Sequence, residues 1–480
     1  MRTRLGRPLG AMGIAGLVGL IGIVPGQSTW NAQAATSVER SSPLCIRRTT
    51  PPKVGLSLIG SKPLADRLNE ITFRSESLNG STVAASVLLP KNYDPSGTTR
   101  YPVLYLFHGR SGDHLDWYKK GGIATVDQPV ITVMPDAGTV GWHADWMGAE
   151  RFGPDKGKPP PAWETFHIRE LIPWIDANYP TRSDRAGRAI AGLSMGGYGS
   201  VLYAARHPEI FGVAGSLSGQ LDMLAGYPFV PLVQAYAGNL FEMAPPDPCV
   251  WGDPILERVV WEDHSPFQLY PNLRGVKVFL AAGNGIPLKV NTDPVELVTE
   301  VVGEVAFRRM AQGLAKRLDS AGVSYRTHYT KGGHGWTLWP TQLAALYPYV
   351  IETANAAHVS AVGADFSYRS AEPQFSAWGW SFEARRAVRE FTYLDQVGVG
   401  GFIVSGSGQL DVTTAALYQA GRVYRVTSNG TAPAGVIADG QGRLRFTVDL
   451  GAPNLAQQTR FDAAAKSGFA RVVVAITPEG

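Results

Sequence analysis

A serine hydroxyl, an imidazole and a carboxylate brought together can cleave an ester, and the chain offers candidates for all three. Gly192-Leu193-Ser194-Met195-Gly196 lies between an apolar run, 189–193, and a helical pattern, 197–207. Flanking glycines let a strand turn sharply into a helix, which leaves the serine Oγ exposed at the end of the strand. The helix that follows turns its positive dipole end toward charge developing there. A serine hydroxyl needs a base, most often histidine, and on a strand–turn–helix elbow the order along the chain is serine, acid, histidine. His334, in Gly332-Gly333-His334-Gly335, follows the strand pattern 325–329 and is the expected base; His328 sits on that strand and is expected to pack in the sheet.

The acid must lie between them. Glu296, Glu300 and Glu304 fall on one predicted helix, 295–320, with Phe307, Ala311, Leu314 and Leu318 as its apolar stripe. Glu300 and Glu304 continue that stripe toward the body, where a carboxylate needs a partner and an imidazole N–H is a suitable one. Glu296 stands three residues after Asp293, the spacing of a capping box. The residues alone leave Glu300 and Glu304 both open. An oxyanion hole needs two backbone N–H groups. Met195, after the nucleophile, is expected to supply one, and Arg110, after the strand that ends at His108-Gly109, the other. His108 itself is read as a turn residue without a catalytic role.

These groups require a scaffold. From about residue 71 to 357 the chain alternates short β-branched runs (103–107, 130–134, 189–193, 213–217, 276–282 and 325–329) with helical patterns at 163–178, 197–207 and 295–320. Continuous apolar runs separated by helices predict a mostly parallel sheet covered on both faces, an α/β domain. Alternating runs near Ile71 and at 83–89 predict antiparallel additions at one edge. Beyond a short linker at 358–363, residues 363–480 hold brief alternating strands broken by Gly, Ser, Asn and Pro, which predicts a smaller all-β, sandwich-like domain packed on the first. Every chemical group named lies before Trp339, so residues after about Gly363 are expected to be dispensable for turnover of a small soluble ester.

The amino terminus reads as a targeting segment. Arg2, Arg4 and Arg7 precede a glycine-rich apolar stretch and Ala32-Gln33-Ala34, a secretory signal peptide cleaved after Ala34, with residues 35–70 as an amino-terminal arm. No later stretch is long and apolar enough to span a membrane, so a soluble exported protein is expected. Export permits disulfides, and the 2 cysteines, Cys45 and Cys249, have one possible pairing, which would pin the arm to the body. Two distant thiols are too few for a zinc site, and no metal or cofactor is expected. Lys and Arg total 44 against 40 Asp and Glu, a net +4 that excludes nucleic-acid binding by charge. With 44% hydrophobic residues the chain cannot be disordered throughout.

The runs WHADWMGAERFGPDKGKPPPAWETFHIRELIPWIDANYP, GLSMGG, SLSGQLD, GNGIP and GGHGWTLW occur in this order. Together they resemble the secreted mycolyltransferases of mycobacteria and corynebacteria, the fibronectin-binding antigens, which are α/β-hydrolases within a broader esterase group. The resemblance spans about Ile71 to Ala357. It implies an α/β-hydrolase fold and transfer of a mycolic acid from trehalose monomycolate to trehalose or to cell-wall arabinogalactan through an acyl-serine. Its implied partners are therefore an acylated trehalose or other lipid ester and a cell-envelope sugar acceptor, with peripheral envelope association. Ser194 and His334 match the family's nucleophile and base. Counting back 18 residues from Gly322, as the family's pattern does, selects Glu304 as the acid. Trp336 matches a tryptophan that borders the sugar site. His108 and Ser111 stand where the family has an Asp and an Arg on trehalose, which makes His108 a substrate-side residue by position. The carboxyl-terminal β-domain has no counterpart in the mycobacterial enzymes. A secreted carboxylesterase that uses water as acceptor shares the same groups. The intact Ser194, Glu304 and His334 set opposes a third reading, a non-catalytic surface binding protein.

Overall fold

The computed structural model describes residues 45, 47–149, 158–227, 229–231, 248–288, 297, 299–356, 365–386, 388–429, 434–454 and 469–479. The expected signal peptide, the capping-box pair Asp293 and Glu296, and the linker at 358–363 lie outside them.

Nine strands among the described residues form one sheet: β1 (Leu56–Ala65), β2 (Leu68–Ser75), β3 (Ser81–Leu88), β4 (Val103–Phe107), β5 (Ile131–Pro135), β6 (Arg188–Leu193), β7 (Val213–Leu217), β8 (Lys277–Ala282) and β9 (Tyr325–Tyr329). Their order is β1-β2-β3-β5-β4-β6-β7-β8-β9. From β5 to β9 every pairing is parallel, whereas β1, β2 and β3 add antiparallel at one edge. β4 to β7 are buried at every residue. That is why they read as largely apolar runs: alternate residues feed different cores. Tyr105, Phe107 and Ile190 join one core, with Val201 of helix α1 (Met195–Arg206) and Leu314 and Leu318 of helix α2 (Glu304–Ala321). Leu104, Leu106, Ala189 and Ala191 join the other, with Leu343, Leu346 and Val350 of helix α3 (Trp339–Asn355). The topology and the sharp turn from β6 into α1 are those of an α/β-hydrolase fold.

Two expectations change. β1 belongs to the sheet, so the amino-terminal arm ends before Leu56 instead of at residue 70; this edge strand is exposed at most positions and shows no apolar alternation from which to read it. The helix expected over 163–178 is interrupted by a wide π-type stretch, Phe166–Leu171, ahead of Ile172–Asn178. Pro173 has no N–H to donate, and its ring crowds the carbonyl one turn earlier, so the preceding turn widens.

Beyond residue 364 two antiparallel sheets face each other. One holds Phe366–Ser370, Thr392–Gly398, Gly401–Gly406, Ala470–Pro478, Val423–Ser428 and Ala434–Ile437, in that spatial order; the other holds Gln374–Ala377, Trp380–Arg385, Gln409–Thr413 and Arg445–Asp449. Trp380 and Phe382 from the second sheet meet Phe402, Val404 and Val474 from the first in a common core, which makes the region a β-sandwich. Glu39–Gly480 clusters as one compact unit, hydrolase body and sandwich together.

Candidate active site

Ser194 stands between β6 and α1 with φ 51° and ψ −117°, a conformation that costs an L-residue energy and persists where the surroundings over-determine it. Its N–H donates to Leu217 O at 2.9 Å and its carbonyl accepts from Tyr198 N at 3.0 Å. The two flanking glycines are required by contact. A Cβ on Gly192 would stand 2.6 Å from the backbone of Gly196, and one on Gly196 would stand 2.4 Å from His108 O. The loop after β4 therefore lies directly on the turn, and a Cβ at Gly109 would be 3.4 Å from Ser194 Cβ. Met195 opens α1, so its N–H has no carbonyl one turn earlier to bond. Arg110 follows Gly109 in the loop after β4.

His334 lies in the loop between β9 and α3. Its Nδ1–H donates to Glu304 Oε2 at 2.8 Å, and its ring packs against Phe307 and, edge-on, Trp339. Glu304 is 0% exposed, and its second oxygen accepts from Ser218 Oγ at 2.6 Å and from the backbone N–H of Gly283. Gln342 Nε2 donates to Ser218 Oγ at 3.3 Å in turn. A buried carboxylate is tolerable when it is surrounded by donors in this way. Glu300, on the same face, plays a different part. Its carbonyl accepts from His334 N at 2.9 Å, and its side chain lies along Gly333, where a Cβ would fall 2.3 Å from Glu300 Cγ. Glu304 therefore meets the imidazole, and Glu300 holds the backbone of its loop. Among the described residues no hydrogen bond joins Ser194 Oγ to the His334 ring.

His108 corrects one expectation. It is 1% exposed, accepts from Ala137 N at Nε2 (2.9 Å) and donates from Nδ1 to Gly109 O (2.6 Å). With both ring nitrogens engaged it ties the loop after β4 to the loop after β5, and it is a positioning residue with no face for a substrate. Behind it, burial holds His143 and His167 below the ordinary imidazole range, His167 at about 4, so both are neutral near pH 7. Trp336 is half-buried at the site's edge, edge-on to Trp117 and Trp339 at 5.2 and 5.1 Å, with the Lys120 ammonium 5.9 Å from its ring centre. His328 lies on β9, stacked on Phe279.

Ser218, Gly283 and Gln342 escaped the reading of the sequence. Ser218 carried one signal, its place in the run SLSGQLD just past β7, where its φ is 54°. Gln342 carried none. Cys45 and Cys249 form a disulfide, beside which Arg48 N donates to Met147 O and Gly148 N to Cys249 O.

A family model described as "Putative esterase" matches residues 75–350. Esterase Rv1288 of Mycobacterium tuberculosis is 32% identical over 283 residues, 58% of this chain and 58% of that protein, so the chain spans little more than half the length of that relative. Diacylglycerol acyltransferase/mycolyltransferase Ag85B of Mycobacterium leprae is 27% identical over 283 residues, 54% of this chain and 79% of that one. Among solved structures, Mycobacterium tuberculosis MPT51 (FbpC1) is 24% identical and superposes with a TM-score of 0.43 over 58% of this chain and 96% of its own.

Proposed function

The chain belongs to the esterase family matched by its residues 75–350, and from that premise we propose that it is a serine esterase or acyltransferase in which Ser194 is the nucleophile, His334 the base and Glu304 the orienting acid. The observation that carries this reading is the 2.8 Å bond from His334 Nδ1–H to the fully buried Glu304, beside a serine held at a strained strand-to-helix turn.

Glu304 fixes the tautomer, which leaves Nε2 to take the proton from Ser194 Oγ as the oxygen attacks an ester carbonyl. The oxyanion formed is received by the N–H groups of Met195 and Arg110. The C–O bond to the alcohol then breaks, His334 returns the proton to the leaving oxygen, and an acyl-serine remains. A second hydroxyl, from a sugar or from water, gives its proton to Nε2 and attacks the acyl carbon; the bond from that carbon to Ser194 Oγ then breaks and Nε2 returns the proton to Oγ. Glu304 stays ionised throughout and balances the imidazolium.

For the donor we propose a lipid ester, trehalose monomycolate, and for the acceptor trehalose or cell-wall arabinogalactan, with Trp336 beside the sugar; the likeness to a mycolyltransferase supports this. Hydrolysis is the second reading, and the buried His108 favours it, because an imidazole stands where the mycolyltransferases that the sequence resembles have an aspartate on the sugar. We further propose that residues 1–34 are a signal peptide, that the hydrolase body ends near residue 357 and that residues 363–480 form an accessory domain. The disulfide supports an oxidising compartment at the cell envelope.

Two measurements test these proposals. Ser194→Ala should lower turnover of a p-nitrophenyl ester by about 10³-fold or more with the fold intact; near-full activity would remove Ser194 from the mechanism. Trehalose monomycolate given to the purified protein should yield trehalose dimycolate if transfer is the activity, and free mycolic acid if hydrolysis is.

A further inference from the structure

Helix α1 starts just after Ser194 and ends at Arg206, and the two ends meet different parts of the molecule. At 1.5 Å per residue, its 12 residues set the ends about 18 Å apart. The Arg206 side chain is held by three carboxylates: Nε to Glu164 at 2.9 Å, Nη1 to Asp263 at 2.9 Å and Nη2 to Glu372 at 3.4 Å. Glu164 and Asp263 belong to the hydrolase body. Glu372 follows the sandwich strand Phe366–Ser370, and its other oxygen is held by Arg389 at 3.0 Å.

The same sandwich strand reaches the helix backbone. The last carbonyls of a helix have no partner within it, and Tyr368 Oη donates to Arg206 O at 2.8 Å. Ala371 N donates to Asp263 Oδ1 at 2.9 Å, so the carboxylate that holds Arg206 is itself held by the sandwich segment. Ala371 and Phe391 pack in the hydrolase core, outside the sandwich's own core. Elsewhere on the junction, the Asn272 side chain pairs with both N and O of Arg369 at 2.9 Å, as a neighbouring strand would, and makes no side-chain hydrogen bond to α1 among the described residues.

We propose that the β-sandwich is the carboxyl-terminal clamp of the nucleophile helix, with Tyr368 and Glu372 as positioning residues that act through Arg206 to set where Ser194 Oγ and the Met195 N–H stand. The proposal rests on the reading of Ser194 as nucleophile. A packed helix transmits axial and rotational shifts along its length, because its backbone bonds are stiffer than the side-chain contacts around it. Ser194 keeps its strained φ and ψ only while its surroundings over-determine them. A displacement of about 1 Å at a reacting atom costs on the order of 10²-fold in rate. Under this proposal residues after about Gly363 are not dispensable for small-ester turnover: the reacting groups lie before Trp339, but one end of the helix that follows Ser194 is held by residues beyond 365.

The test uses the full chain, a small soluble p-nitrophenyl ester and the melting temperature of each variant. Tyr368→Phe removes one hydroxyl and keeps the ring. Glu372→Gln keeps the shape and removes the charge, and Glu372→Asp restores the charge. The expected result is a fall in kcat of about tenfold for Tyr368→Phe and for Glu372→Gln, with KM within about twofold, measured well below the melting temperature, and partial recovery in Glu372→Asp. Asn272→Ala, which loosens the junction without removing any bond to Arg206, should lower the melting temperature and leave kcat unchanged. If kcat is unchanged in both clamp variants, or falls equally in Asn272→Ala, the sandwich is a stabilising neighbour only and the proposal fails. Loss of activity in Ser194→Ala alongside unchanged clamp variants would overturn the clamp and leave the esterase reading standing; activity retained in Ser194→Ala would overturn both.

Discussion

Glu300 and Glu304 are one turn apart, carry the same group and both face the body, yet they do different work. The 2.8 Å bond to His334 Nδ1 belongs to Glu304, while Glu300 supports the loop through its carbonyl. Glu304→Gln should therefore cut kcat on a small ester by about 10²-fold or more, because an amide cannot balance the imidazolium. Glu300→Gln should leave kcat within a few-fold. Steady-state kinetics on the pair decide this, and a reversed ranking would give Glu300 the acid's part. Ser218 is the finer case. Its hydroxyl donates to Glu304 at 2.6 Å, and hydrogen bonds to charged groups are worth about 1.5–3 kcal/mol. With roughly half of that felt in the transition state, Ser218→Ala should lower kcat about tenfold and leave KM unchanged. An unchanged kcat would mean that Gly283 N–H alone suffices for Glu304.

At the scale of elements, α1 is packed along its whole length, and a buried histidine is among its titratable neighbours. Tyr198 Oη, on α1, donates to His264 O at 2.8 Å, and the His264 ring donates from Nδ1 to Val260 O and lies near Trp251. Burial first, and the nearby Arg206 cation second, push His264 down to about 4. Its ordinary value is about 6.5, so the folded state resists a proton that the unfolded chain accepts. Its contribution to stability is thus complete above about pH 6.5 and is lost as pH falls through about 4. By pH 5 this single site should remove about 2 kcal/mol relative to pH 8. His264→Gln keeps a donor for Val260 O and removes the titration. Urea unfolding of both proteins at pH 8 and pH 5 should show a smaller loss in the variant by about that amount; equal losses would remove His264 from the pH response.

For the whole molecule, the long closure made by Cys45–Cys249 ties the arm to the body 204 residues away. In the chain-entropy account a loop of that size is worth about 5 kcal/mol. Reduction should lower the midpoint of denaturant unfolding markedly and leave small-ester kcat unchanged under native conditions, since neither cysteine touches Ser194, His334 or Glu304. A parallel loss of kcat in the reduced, folded protein would instead tie the arm to the active site. The sandwich is different in kind. It shares a buried ion cluster and a piece of apolar core with the hydrolase body, and its effects should appear in turnover as well as in stability.

The sequence alone determined the features that depend on local pattern. Buried parallel strands are buried at every residue and mostly apolar, so 103–107 and 213–217 could be read to the residue. An elbow needs glycines where backbones touch, so Gly192 and Gly196 marked Ser194. The stripe Phe307, Ala311, Leu314 and Leu318 is buried as its 3/4 spacing required. What the sequence left undecided depends on partners distant along the chain. Only the folded sheet brings Ser218 and Gln342, 124 residues apart, to Glu304, and nothing local marks a glutamine on an amphipathic helix as a buttress. His108 looked like a substrate-side residue by its place in a motif. Its orientation was settled by the Ala137 N–H that it meets across two loops. β1 stayed hidden because an exposed edge strand gains its bonds from a neighbour without burying a face. The junction at Arg206 was likewise invisible, because charged residues read as surface until three carboxylates from separate segments close around one guanidinium. Tertiary structure decided those cases because burial and pairing are properties of a place in space, which residue type and spacing constrain only when the neighbours are local.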